Sequence, residues 1–242
     1  CDINELDSEH CSTPLGNACG HGQVEAARLL LNRGADVDPS EKQQMPPLVA
    51  ACDAGHYGVV CLLIFVGRAN VNCVSSLEYT PLLAASARGH VATTKLLIDR
   101  GADVNWRRDQ DGINALLIAC NGGHTEIVRL LIDRGGADIN LADAPDGRTP
   151  FFVACQMGHY DIVELLMHKG AITDKVYGGV LPLEVAISKG HRAVAELLRP
   201  GIMEAMEVLM ATEGNFSMLS AEHLTVLAPL TAKAKEAARR AR

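Results

Sequence analysis

Stretches in which apolar residues recur at helical spacing alternate along this chain with short polar stretches rich in Gly, Asp and Asn. Ile127, Val128, Leu130, Leu131 and Ile132, for example, fall at the spacing of an amphipathic helix. The pattern recurs in register. Segments starting at Thr13, Pro46, Thr80, Asn114, Thr149 and Leu181 follow one another at steps of 33, 34, 34, 35 and 32 residues. An Ala lies five residues after every start (Ala18, Ala51, Ala85, Ala119, Ala154, Ala186) and a Gly nine after (Gly22, Gly55, Gly89, Gly123, Gly158, Gly190). A Leu-Leu pair follows in each segment, from Leu29-Leu30 to Leu197-Leu198. Six agreeing copies make the chain a repeat array.

Each recurring residue has a physical task. Thr-Pro at 13–14, 80–81 and 149–150 supplies a hydroxyl that can cap a helix and a Pro at its first turn, where a missing N–H costs nothing. A short helix with Ala or Cys on its close-packed face is expected next, ended by the Gly, which can take positive φ. A second helix then presents Val, Ile and Leu, and Gly-Ala-Asp-Val-Asn at 101–105 turns the chain into an extended finger. No single unit can bury its apolar face alone, so the units must stack. The expected fold is an all-α repeat solenoid of helix-turn-helix units with β-turn fingers. Its repeats are assigned to 13–45, 46–79, 80–113, 114–148, 149–180 and 181–201.

These residues resemble the ankyrin repeat, whose pattern runs T-P-L-H-x-A-A, G-H, L-L-L and G-A-D-V-N; the likeness covers residues 13–201. Cys1-Asp2-Ile3-Asn4 resembles the end of an earlier repeat, so residues 1–12 are read as its remnant and a parent protein continuing upstream is expected. The family's His three residues into the repeat is missing: Gly16, Val49, Leu83, Leu117, Phe152 and Glu184 stand there, so its hydrogen bonds must be absent or replaced. Extra residues occur at Gly67-Arg68-Ala69-Asn70, Trp106-Arg107-Arg108, Gly135-Gly136 and Ala144-Pro145. Length variation at finger tips suits a binding surface, although drift in tolerant loops gives the same pattern.

From Ile202 the register is lost. Ile202, Met206 and Leu209 share a helical face, Ser220 could cap a helix, and Pro229 opens an Ala-rich stretch, so residues 202–242 are read as a helical capping segment. The last twelve residues carry net +4 within a chain of net −7, which leaves −11 for the rest. The basic tail is read as a solvated helix end rather than a nucleic-acid or membrane site.

Composition narrows the function. The net negative charge opposes bulk attraction to nucleic acid or anionic lipid. The longest apolar run, Val59 to Val66, is eight residues, far short of the roughly 20 that a spanning helix needs. The eight cysteines form no C-x-x-C pair, and Cys19, Cys52, Cys120 and Cys155 share one offset, which reads as small buried hydrophobes. Equivalent positions in stacked repeats lie too far apart for disulfides, which need Cα atoms within about 7 Å. Reduced thiols place the chain inside the cell, in the cytoplasm. His56, His90, His124, His159 and His191 also recur at one offset. Repeats about 8–10 Å apart cannot bring such a row to the roughly 2.1 Å that one metal requires.

No G-x-S-x-G, P-loop or H-E-x-x-H is present, and the acids are spread along the fingers rather than gathered. No catalytic, cofactor or metal site is expected, and the chain is not read as an enzyme. The resemblance implies a monomeric protein-interaction module or scaffold that binds a protein partner, not nucleic acid, through fingers and first helices on its concave face. The alternative is a regulatory or substrate-docking portion of a larger enzyme or channel. By offset, the family's first-helix contributors are Gly20, His21, Asp53, Ala54, Ala87, Arg88, Asn121, Gly122, Gln156, Met157, Ser188 and Lys189. Trp106 is the only Trp and lies in a polar finger with Arg107 and Arg108. The three form a candidate hot spot, extended by Tyr79 and Arg88, unless Trp106 folds back over its own hairpin. Leu97, Asp103, Val104 and Asn105 resemble the pattern that asparaginyl hydroxylases accept, so Asn105 is a candidate substrate unless it serves only the turn.

Overall fold

Most repeats open on a side-chain cap. Oγ1 of Thr13, Thr80 and Thr149 accepts the backbone N–H of Gly16, Leu83 and Phe152 at 3.0, 3.2 and 3.2 Å, and Oδ1 of Asn114 accepts that of Leu117 at 2.9 Å. These bonds satisfy an N–H that a helix start leaves unpaired. In the last repeat the geometry is reversed, and Glu184 Oε2 accepts the N–H of Leu181 at 3.1 Å. So five of the six positions where the family's His is missing take part in capping, four through the backbone N–H and one through the Glu184 side chain, while Val49 after Pro46 has no side-chain cap.

The computed structural model describes residues 3–6, 12–39, 45–143 and 146–198. The residue ranges 1–2, 7–11, 40–44, 144–145 and 199–242 lie outside it, including the expected capping segment, its basic tail and the end of the sixth repeat. The helices are α1 (Pro14–Gly20), α2 (Val24–Asn32), α3 (Pro47–Ala54), α4 (Tyr57–Leu62), α5 (Pro81–Arg88), α6 (Val91–Asp99), α7 (Ala115–Gly122), α8 (Thr125–Asp133), α9 (Pro150–Met157), α10 (Tyr160–His168), α11 (Pro182–Ser188) and α12 (192–198). Among the described residues the extended pairings are two isolated bridges, Arg107 with Asn114 and Tyr177 with Val180. The chain is an all-α repeat solenoid, and its contacts divide it into two compact units between Asp138 and Ile139.

In the first unit α1, α3, α5 and α7 pack side by side as an inner row, while α2, α4, α6 and α8 form the outer one. Leu15, Leu48, Leu82 and Leu116 are at most 1% exposed at one offset, and Ala51, Ala85 and Ala119 are fully buried at another. Burying each Leu contributes about 1.5–3 kcal/mol, and the Ala column lets the inner helices approach closely. In the second unit α9 packs on α10 and α11, around Phe151, Ile162 and Leu166.

Two ladders of polar bonds join neighbouring repeats. In the first, ring Nε2 of His56, His90, His124 and His191 donates to the carbonyl of Gly20, Asp53, Ala87 and Gln156 at 3.0–3.3 Å. The recurring Gly makes room for that ring. At Gly55, φ is +77° and an added Cβ would lie 2.4 Å from Cε1 of His90. The second ladder runs along the fingers. Side-chain oxygens of Asn4, Asp38, Asn72, Asn105 and Asn140 accept the backbone N–H of Asp36, Asn70, Asp103, Asp138 and Ile172 at 2.8–2.9 Å.

The extra residue expected near Gly67 is absorbed in a helix end, not at a finger tip. Leu63–Gly67 forms a π-helical turn that continues α4, and Ala69 N–H reaches back to Leu63, whereas Ala102 reaches the nearer Leu97. Phe65 and Val66 are thereby left exposed, and the guanidinium of Arg100 lies 3.8 Å from the Phe65 ring centre.

Candidate functional site

The inner helices end in a row of variable residues, because the ladder and the core fix the positions on either side of them. In the first unit this row borders a cleft of about 440 Å³. Asp53 from α3, Ala87 and Arg88 from α5, Asn121 and Gly122 from α7 and Tyr79 from the finger before α5 all line it, so six of the sequence-derived candidates are brought together. Arg88 holds Asp53 bidentately, Nε to Oδ1 at 2.9 Å and Nη2 to Oδ2 at 3.3 Å. Both side chains stay well exposed, so the pair contributes little stability. Its effect is to fix two charges at the cleft in one geometry.

Tyr79 is held from outside the cleft. The Arg108 guanidinium lies 5.2 Å from the Tyr79 ring centre and also pairs with Asp111, Nε to Oδ1 at 2.9 Å. That hydrogen bond keeps the Asp111 carboxyl below the usual carboxylate range. Ser75 and Asp143 occupy the place of Arg108 in their own fingers, and each has a side-chain oxygen that accepts a backbone N–H closing its turn. Arg108 has no acceptor, so Asp111 takes over and receives the N–H of Ile113 at 3.1 Å. In this finger the cation–π contact is Arg108 with Tyr79. Trp106, two residues earlier, is half-buried, and Arg107 is exposed.

Gln156 and Met157 end α9 in the second unit. Gln156 is half-buried and its backbone carbonyl accepts His191, while Met157 is 43% exposed. The Asn105 side chain is engaged in the finger ladder, and its own N–H donates to Asp103 Oδ1 at 3.0 Å.

Sequence reasoning missed the apolar part of the cleft: Met45, Val49, Leu77 and Ile118. A signal for Leu77 existed, since it is an isolated apolar residue between Ser76 and Glu78 in a polar finger, as Trp106 is in the next. Glu78 itself has φ +56° and accepts the N–H of Asp109 at 3.1 Å. Among the described residues no three His, Cys, Asp or Glu side chains come together in a way that could hold a metal ion. Cys19, Cys52, Cys120 and Cys155 are buried, Cys61 and Cys73 are partly buried, and none of these six is in a disulfide. No described helix is long and apolar enough to cross a membrane.

A family model described as ankyrin repeats matches residues 1–74, 58–143 and 135–207. Alpha-latrocrustotoxin-Lt1a of Latrodectus tredecimguttatus is 29% identical over 111 residues, covering 46% of this chain and 8% of the toxin. The match thus spans less than a tenth of that relative's length.

Proposed function

Because the chain belongs to the ankyrin repeat family, whose repeats are generally protein-interaction modules, we propose that it binds a partner protein through its fingers and first helices. The observation that carries this reading is the convergence of Asp53, Tyr79, Arg88 and Asn121 on one cleft from three inner helices and a finger. Trp106, Arg107 and Arg108 extend the proposed surface along the next finger; Gln156 and Met157, at the end of α9, are proposed separately as partner-binding residues of the second unit. Recognition of this kind needs no chemistry, only complementary shape and paired polar groups. We read the chain as a non-catalytic monomer acting inside the cell, a setting supported by the buried thiols. Asn105 is a proposed hydroxylation site.

Capture from lysate tests the face. A Tyr79→Ala, Arg88→Ala double variant is expected to lose partners that the wild type retains. An outer-row control, Lys95→Ala with Arg129→Ala, keeps them. Equal capture by both variants would reject the face.

A second reading is supported by the toxin match, which occupies only a small part of a much longer protein. In it, the array is the docking portion of a larger polypeptide. An immunoblot of the endogenous protein at the mass of this chain alone would refute it.

A further inference from the structure

We propose that the cleft is a socket for one bulky, uncharged apolar side chain on an extended segment of the partner, whose backbone carbonyls take the outward N–H groups of Arg88. This rests on the reading of the finger and first-helix face as the partner surface. Leu77 and Met45 line the cleft and stay 64% and 42% exposed, with Tyr79 and Ile118 beside them. An open apolar lining of this kind is what an anchor side chain fills, and about 440 Å³ leaves room for that side chain together with part of its own backbone.

Electrostatics disfavour a charged anchor. Asp53 and Arg88 are the charged residues of the lining, and each already holds the other's charge. A Lys or Glu entering the cleft would be desolvated with no counter-charge left to meet it. Covering the pair also removes water from Arg88. Two of the five guanidinium N–H groups serve Asp53, and the rest need acceptors once water leaves. Carbonyls of an extended backbone supply them without adding charge.

Backbone strain coincides with the same rim. Two residues before the starts of the fourth and fifth repeats the chain has Gly112 and Gly147, at φ +67° and +75°. The matching position in the third finger is Glu78, a non-glycine residue held at φ +56° directly after Leu77. A left-handed non-glycine residue is costly, and such residues cluster at binding surfaces. Here the strained turn displays the most exposed apolar residue of the cleft.

The test pans a phage-displayed library of random dodecapeptides against the full chain, with an Ala87→Leu variant as counter-target. Ala87 lines the cleft, so the larger side chain narrows it and removes no contact. Enriched peptides are expected to share a Leu, Ile, Met or aromatic residue and to bind Ala87→Leu at least about tenfold more weakly. A Leu77→Ser variant is expected to show the same loss, with circular dichroism confirming that both variants fold. A consensus built on acidic or basic residues, binding unchanged by Ala87→Leu, or no enrichment at all overturns the socket. Amide hydrogen exchange separates the two levels. A charged consensus that protects α3, α5, α7 and the fingers leaves the face standing and removes the anchor; protection confined to α4, α6 and α8 removes both.

Discussion

The side-chain oxygen of Asn105 accepts the backbone N–H of Asp138 at 2.8 Å, which ties one finger to the next. Asn105→Ala is expected to lower stability by about 1 kcal/mol, the net worth of one hydrogen bond, as read from urea unfolding. The same bond bears on hydroxylation, because an enzyme must pull the side chain free to reach it. Mass spectrometry is expected to find one added oxygen on Asn105, sooner in a peptide of residues 94–110 than in the folded chain. If neither gains oxygen, Asn105 serves the ladder alone.

Gly55 and Gly101 separate two costs. Both have φ near +80°, but a Cβ at Gly55 strikes the His90 ring whereas nothing lies within 4 Å at Gly101. Each Ala substitution pays the strain of positive φ, more than about 1 kcal/mol. Gly55→Ala is expected to cost at least about 1 kcal/mol more, because it also displaces the ring that bonds Asp53. Equal losses in thermal unfolding would mean that the ring moves aside freely.

Much of this was legible in the sequence, and the limit has a physical reason. Caps at Thr13, Thr80 and Thr149, the turn glycines and the buried Ala and Leu columns are local signals repeated at fixed offsets. The His-to-carbonyl bonds and the finger ladder join residues about one repeat apart, 31–37 positions in sequence, and become visible only once the stacking is known. The Arg108 contact with Tyr79 was hidden for the same reason. Leu77 was passed over because an apolar residue in a loop has no periodicity to announce it.

Ser86 stands in the column that holds Cys19, Cys52, Cys120 and Cys155 in four other repeats, and its buried hydroxyl has no partner; neither has that of Thr94 on the paired helix. A buried hydroxyl left unbonded costs about 1–3 kcal/mol. Ser86→Cys and Thr94→Val are each expected to raise stability by about 1 kcal/mol, measured as a higher urea midpoint with an unchanged slope. A fall in midpoint would show that these hydroxyls are satisfied in solution.

Burial pushes the thiols of Cys19 and Cys73 up to about 12 and raises those of Cys52 and Cys155 as well. The unfolded chain loses these protons first, near about 8.5. Their stabilisation is therefore complete below that pH and declines between about 8.5 and 12. Urea midpoints taken through this window should fall with rising pH, and less steeply for a Cys19→Ala, Cys155→Ala double variant. Identical slopes would remove these thiols as the cause.

Trp106 is half-buried beside the exposed Arg107. If it is a hot spot, Trp106→Ala weakens partner binding by about 2 kcal/mol or more with little change in stability. A drop in stability with full capture at matched folded concentration would instead make it the cover of its own hairpin.

Because every rung of the two ladders spans one repeat, whole repeats are the natural step by which the array changes length; a single extra residue fits where a helix end absorbs it, as the turn at Leu63–Gly67 does. Excising Pro46–Tyr79 would bring His90 to the carbonyl of Gly20 and the N–H of Asp103 to the carboxylate of Asp38, and both seams would close again. Removing ten residues from the same stretch would leave donors and acceptors out of phase across the cut. Loss of a whole repeat is thus expected to be tolerated better than loss of part of one, and whole-repeat duplication or loss is the route by which such a surface can grow or shrink without being rebuilt.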